Sequence, residues 1–258
     1  MMEELIFEIK ENIAIFKINR PKNLNTLTDS LIEKFSEKLE FLRDNLKIRV
    51  VLVKGEGGSF CAGVDVKGKE YNPLNARDFL IKLNRMFDKL ENLPQPSIAI
   101  IDGPCVAGGL ELALSCTFRF CTKKSKFGLP EVTLGLVPAG GASFRLPRLV
   151  GFSKALEMAL TGNLIDGEKA FKIGLVNNVF DNLEDLNNYL EKFIQKIIDN
   201  APYAVTFTKN CFVKGYNVES SIASLIEILS ASVNHYTEDK KEGIKAFFEK
   251  RKPKFRGK

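Results

Sequence analysis

The sequence predicts an α/β protein that ends in a helical region, and three observations predict it. Apolar runs of strand character alternate with segments of helical spacing until Leu183. From Leu183 onward the strand signal stops and helix follows helix. Glycine-rich connections stand where strands give way to helices, notably at 55–63 and 103–109.

Taken in order, Ile13 to Ile18 has the alternation of a half-buried strand. The next segment places Ile32, Phe35, Leu39 and Leu42 at helical spacing, behind a cap at Thr28 or Asp29. Val50-Val51-Leu52-Val53 is an unbroken apolar run, the pattern of a strand buried on both faces. A helix over Asn75 to Leu93, a strand over Ser97 to Ile101, a helix from Gly108 and a strand over Phe118 to Cys121 follow. Four helices then span 183–199, 202–215, 219–235 and 239–250, with Pro202 acceptable in a first helical turn. There is no internal repeat or low-complexity linker, and the organisation expected is a core over 1–195 followed by a helical region over 196–258.

Composition excludes several classes of function. Hydrophobic residues make 45% and charged residues 27%, an ordinary globular balance that argues against disorder. No apolar stretch approaches bilayer length and the first residues are acidic, so neither a membrane span nor a signal peptide is read and a cytoplasmic protein is expected. The five cysteines are scattered in apolar sequence and suit reduced core thiols. With one histidine, His235, in a C-terminal helix, neither Cys–His nor Ser–His–Asp chemistry nor a zinc site is supported. The net charge of +6 lies in the tail: "KRKPKFRGK" (250–258) holds six of the 38 basic residues, and the remaining 32 balance the 32 acids. Such a tail is either solvated or in contact with phosphates.

Two stretches share one design. In "AIIDGPCVAGGLELALSC" (99–116) a buried strand turns through Gly103-Pro104 into Gly108-Gly109 and an apolar helix, leaving bare amides where a ligand can approach. The run from Val50 reaches "CAGVDVKG" (61–68) through Gly55, Gly57 and Gly58 in the same way. Two such turns facing one point make an oxyanion hole, whereas either alone is explained by a tight strand–helix connection. Neither stretch contains a GxxxxGK[ST] or GxGxxG phosphate-binding pattern.

Two acids lie beside these turns. Glu131 follows Pro130 in "FGLPEVTLGLVPAGGASFRLPRLVG" (127–151), and Glu111 stands in the first turn of the helix begun by Gly108-Gly109. A first-turn acid needs no other purpose, since the helix dipole stabilises it. Yet Glu111 is surrounded by Leu110, Leu112, Ala113 and Leu114, where a carboxylate is costly unless it faces a cavity. Two partly desolvated carboxylates near an oxyanion hole suit general acid–base work on an acyl compound.

These stretches, with "INRPKNLNTLTDSL" (18–31) at the start and "KEGIKAFFEKRKPKF" (241–255) at the end, give the chain a nearly full-length resemblance to the crotonase, or enoyl-CoA hydratase/isomerase, superfamily. The resemblance implies a spiral of ββα units with a helical trimerisation region, and a homotrimer or a hexamer made as a dimer of trimers. It also implies an acyl-CoA thioester substrate, with no metal and no cofactor beyond the CoA carried by that substrate. By the same resemblance the amides of Val64 and Gly108 hold the thioester oxygen, and Glu111 and Glu131 match the two hydratase glutamates. Ala62, Asp65, Val66, Lys67 and Gly141 then border the substrate, Phe247 and Lys250 hold the adenine and phosphate end of CoA, and the segment from Lys67 to Ala76, with Tyr71 and Pro73, borders the acyl group.

Retention of both glutamates favours water addition to a 2-enoyl-CoA over Δ3,Δ2-isomerisation, for which one base suffices. "PAGGASF" departs from the more usual hydratase pattern "PGAGGTQ" and leaves the acyl group open. A CoA-thioester hydrolase is a more distant reading, and RNA binding, known in a few relatives, would rest on the tail alone.

Overall fold

The computed structural model describes residues 3–67 and 72–258. The chain opens with an antiparallel pair, β1 (Leu5–Lys10) and β2 (Ile13–Ile18), in which Phe7 lies opposite Phe16. Helix α1 (Asp29–Arg43) starts on Thr28, whose hydroxyl accepts from the Leu31 amide, and it buries Ile32, Phe35, Leu39 and Leu42 along one face. β3 (Val50–Gly55), α2 (Pro73–Glu91) and β4 (Ser97–Ile101) follow. Helix α2 begins two residues before the expected Asn75, because Asn72 caps it through the Leu74 and Asn75 amides and Pro73 occupies its first turn.

The chain then steps between two sheets. β5 (Pro104–Val106) leads into α3 (Gly108–Leu114), β6 (Phe118–Thr122) into β7 (Lys126–Gly128), a 3-10 turn over Pro130–Leu134, α4 (Ala142–Val150) and α5 (Phe152–Thr161). β8 (Ile165–Asp166), α6 (Gly167–Lys172) and β9 (Asn178–Phe180) complete this part. One sheet has the order β1-β2-β3-β4-β6-β9 and is parallel from β2 onward; the other has the order β5-β7-β8. Because β4–β5–α3 and β6–β7–α4 each cross from the first sheet to the second and on to a helix, the chain forms the ββα spiral that the resemblance implies.

Alternate residues of the central strands serve two cores. Ala14, Phe16, Val51, Val53, Ala99 and Ile101 face the larger core with α1, α2 and α3. Val50, Leu52, Ile98, Ile100 and Phe120 face Leu186, Leu190 and Ile194 of α7 (Leu183–Ile198). Covering both faces is why β3 reads as an unbroken apolar run, and each such side chain contributes about 1.5–3 kcal/mol.

Three helices follow: α8 (Pro202–Gly215), α9 (Ser220–Asn234) and α10 (Glu238–Phe248). α8 is tied to the segment after α2, since Lys209 Nζ donates to the Leu93 carbonyl at 2.6 Å and the Gln95 carbonyl at 3.1 Å. α9 buries no side chain. The basic tail lies back on α10: the Arg256 and Gly257 amides donate to Asp239, and Arg251 forks onto both oxygens of Glu242 at 2.6 and 2.9 Å. Among the described residues no helix is long and apolar enough to cross a membrane.

Candidate active site

The two glycine-rich turns are built against one another. Cys61 and Cys105 form an isolated parallel bridge, with the Cys61 amide donating to the Pro104 carbonyl and the Val106 amide to the Cys61 carbonyl. A Cβ placed on Gly108 would sit 3.5 Å from the Val64 nitrogen, and one on Gly63 would sit 3.5 Å from the Gly108 nitrogen. Gly63 also has φ +105°, where an L side chain is strained. Among the described residues neither the Val64 nor the Gly108 amide donates a hydrogen bond within the chain. Ala107, which precedes α3, has φ +51° and ψ −131°, a backbone geometry of the kind that costs about 1–3 kcal/mol and gathers at functional sites.

The segment 20–27 holds the first turn. The Leu27 amide donates to the Gly63 carbonyl at 2.8 Å, and the Asp65 amide to the Leu27 carbonyl at 2.9 Å. Arg20 reaches the Asp65 carboxylate at 2.8 Å and Glu4 at 3.0 Å. Buried Asn25 accepts from the Arg20 amide and donates to the Glu56 and Ser59 carbonyls at 2.8 and 2.6 Å. Asp65 is therefore engaged by a neighbouring guanidinium, while Val66 and Lys67 are exposed at the rim and Ala62 is half-buried. Tyr71 lies outside the described residues, and Pro73 opens α2.

Glu111, one turn into α3, is 2% exposed. Its Oε1 accepts from the Gly140 amide at 2.6 Å and the Ala142 amide at 3.2 Å. Gly140 has to be glycine for this: an added Cβ would fall 2.3 Å from Glu111 Oε2 and 2.7 Å from Phe87 Cε2. Burial raises the Glu111 pKa above its ordinary value, opposed by those two amides and by Arg145. Glu131, in the 3-10 turn, is pushed up to about 7, first by burial and in smaller part by the charge of Glu111. Its Oε2 is buried with no hydrogen-bond partner among the described residues. Two buried carboxyls, the charge of one raising the proton affinity of the other and one oxygen unmatched among the described residues, have the chemistry of an acid–base pair.

Gly141 caps α4 at φ +98° beside Arg145. Phe247 and Lys250 are exposed at the end of α10, and among the described residues no hydrogen bond, ion pair or ring contact joins them to the loops around Glu111. Sequence reasoning missed Arg20, Asn25, Asn84 and Arg145; the one signal available was a lone base in the apolar segment "ASFRLP". The thiols of Cys61, Cys116 and Cys121 are pushed up to about 12 by burial, so they hold no thiolate near neutrality. A concavity of about 880 Å³ lies at the other end of α3, where Lys209, Phe212 and Tyr216 of the α8 region face Cys116 and Phe118. It is not the site of the two glutamates.

A model of the enoyl-CoA hydratase/isomerase family matches residues 8–258. The chain is 36% identical over 253 residues to a short-chain-enoyl-CoA hydratase of Clostridium acetobutylicum, covering 97% of each protein. It is 34% identical over 255 residues to a crotonyl-CoA hydratase of Syntrophomonas wolfei, covering 98% of each. The solved structure of an enoyl-CoA hydratase from Bacillus anthracis superposes with a TM-score of 0.94 at 32% identity, over 99% of this chain and 100% of that one.

Proposed function

Because the chain belongs to the enoyl-CoA hydratase/isomerase family, we propose that it adds water reversibly across the 2,3 double bond of a 2-enoyl-CoA, giving a 3-hydroxyacyl-CoA. The Val64 and Gly108 amides receive the negative charge that grows on the thioester oxygen. Glu111 orients a water molecule and takes its proton as the oxygen bonds to C3; Glu131 gives a proton to C2. The reverse reaction uses the same groups with the protons returned. Addition of water consumes no electrons, so no redox cofactor is required, and the proton transfers rest on the two carboxyls rather than on a metal. Ala62, Asp65, Val66, Lys67 and Gly141 border the thioester side of the site.

The observation that carries this reading is the pair itself: Glu111 and Glu131 are both shifted toward the protonated form by burial, and Glu131 Oε2 lacks a partner among the described residues. Two such carboxyls acting on one water molecule match hydration better than isomerisation, which needs a single proton shuttle. The names of the two bacterial relatives make a short acyl group the first to test. The subunits assemble as trimers or dimers of trimers through the helices after α7, and Phe247 and Lys250 reach the CoA of a neighbouring site.

Reaction of a four-carbon 2-enoyl-CoA in isotopically labelled water tests the assignment. Label in the 3-hydroxyl group of the product is expected. Migration of the double bond of a 3-enoyl-CoA with no hydration of the 2-enoyl isomer would overturn it in favour of an isomerase.

A further inference from the structure

Glu111 is aimed by a segment that is itself gripped from outside the site. The amides of Gly140 and Ala142 hold its Oε1, and the carbonyls on the other edge of the same segment are held by two further side chains. Asn84 of α2 donates to the Ala139 carbonyl at 2.6 Å, and also to the Leu80 carbonyl of its own helix. Arg145 of α4, 2% exposed, donates through Nη1 to the Gly140 carbonyl at 3.1 Å. Its Nη2 donates to Asp88 at 2.7 Å and to Glu91 at 2.8 Å, and its Nε donates to Glu91 at 3.1 Å. Both anchoring acids stand on α2, as does Asn84. A fixed fork of donors is thus pinned on one side by two carboxylates and presses on one peptide with the other.

We propose that Asn84 and Arg145 are positioning residues for Glu111: by holding the Ala139 and Gly140 carbonyls against α2, they fix the amides that aim its carboxylate. The inference rests on Glu111 as the group that handles the proton of water. Neither residue touches substrate in this account, and their effect runs through the geometry of one carboxylate. A displacement of about 1 Å at a reacting group costs on the order of 10²-fold in rate.

The test is a pair of cycles, with Asn84→Ala and Arg145→Lys each made alone and together with Glu111→Gln. Hydration of the 2-enoyl-CoA is followed with kcat and KM separated, and thermal unfolding is recorded for every variant. Each single clamp variant is expected to lose about 10- to 100-fold in kcat with KM nearly unchanged. In the Glu111→Gln background the same changes are expected to cost little more kcat, while lowering the unfolding temperature as much as they do in the parent. Asn84 is only partly buried and alanine suits a helix, so that cycle stands even where an Arg145 variant does not fold. Parental kcat in the folded variants, or equal fractional losses in both backgrounds, overturns the proposal. Parental hydration by Glu111→Gln alone refutes the role of Glu111 first, and the clamp falls with it.

Discussion

A carboxyl kept above its ordinary proton affinity has a cost in stability as well as a use. Burial is the main cause at Glu131 and lifts its pKa from 4.5 to about 7, with the charge of Glu111 adding to the rise. Between those two values the folded chain keeps a proton that the unfolded chain has released, so stability falls as pH rises through the window and is lowest above it. Glu131→Gln removes that dependence. The variant should melt higher than the parent at about pH 8, and the difference should shrink below about pH 4.5, where both side chains are neutral. A lower melting temperature than the parent at the alkaline end would contradict the assigned shift. The same titration governs rate: hydration requires Glu131 protonated, so kcat should decline as pH rises through about 7, with the apparent value belonging to the coupled pair.

At the scale of elements, the site depends on turns held by residues distant in sequence. Asn25, at φ +57°, ties the amide of Arg20 to the carbonyls of Glu56 and Ser59 and so braces the segment that pairs with Gly63 and Asp65. Removing a side chain that satisfies buried backbone groups costs about 1–3 kcal/mol. Asn25→Ala should lower the free energy of unfolding by that amount and reduce kcat; unchanged stability would show that water replaces the amide. Such long-range ties are what sequence reading misses. The long helices were legible because 15 to 19 residues repeat one apolar face, as in α1, α2 and α7, whereas α4, α5 and α6, of nine, ten and six residues, went unread. β5, β7 and β9 have three residues each and β8 two, too few for a period to appear, and β1 went unread beside the stronger β2. Glu111 stood out as an acid in an apolar helix, yet the amides that hold it lie 29 and 31 positions away, with nothing in either segment to announce the other.

Over the whole molecule, the first nine strands and seven helices form a complete two-sheet body, whereas α9 is left with no buried side chain. Ile222, Leu225 and Leu229 on that helix are 49%, 54% and 57% exposed, a surface that association between copies would cover. The trimer or hexamer proposed above therefore predicts that Leu225→Glu lowers the mass measured by light scattering toward that of one chain. A parent protein that is already monomeric at micromolar concentration would refute the assembly. Exposed Phe247 and Lys250 belong to the same question, since their proposed contact with CoA reaches a neighbouring subunit. Lys250→Ala should raise KM for the CoA ester, more at low salt than at high, with kcat little changed. The tail beyond them is less free than its charge suggested, because Arg251 is neutralised by Glu242 and Glu249.

The two glutamates acting on one water molecule is the proposition on which the rest depends, and a double-mutant cycle on them decides it. Hydration of a 2-enoyl-CoA is measured for Glu111→Gln, Glu131→Gln and the double variant, with circular dichroism confirming that each is folded. Each single change should reduce kcat by ~10²–10⁴-fold, and the double change should cost far less than the product of the two, because groups that act as a unit are not additive. Near-parental hydration by folded Glu111→Gln, or losses that simply multiply, would contradict a shared water and leave the pair as two separate helix-terminus acids.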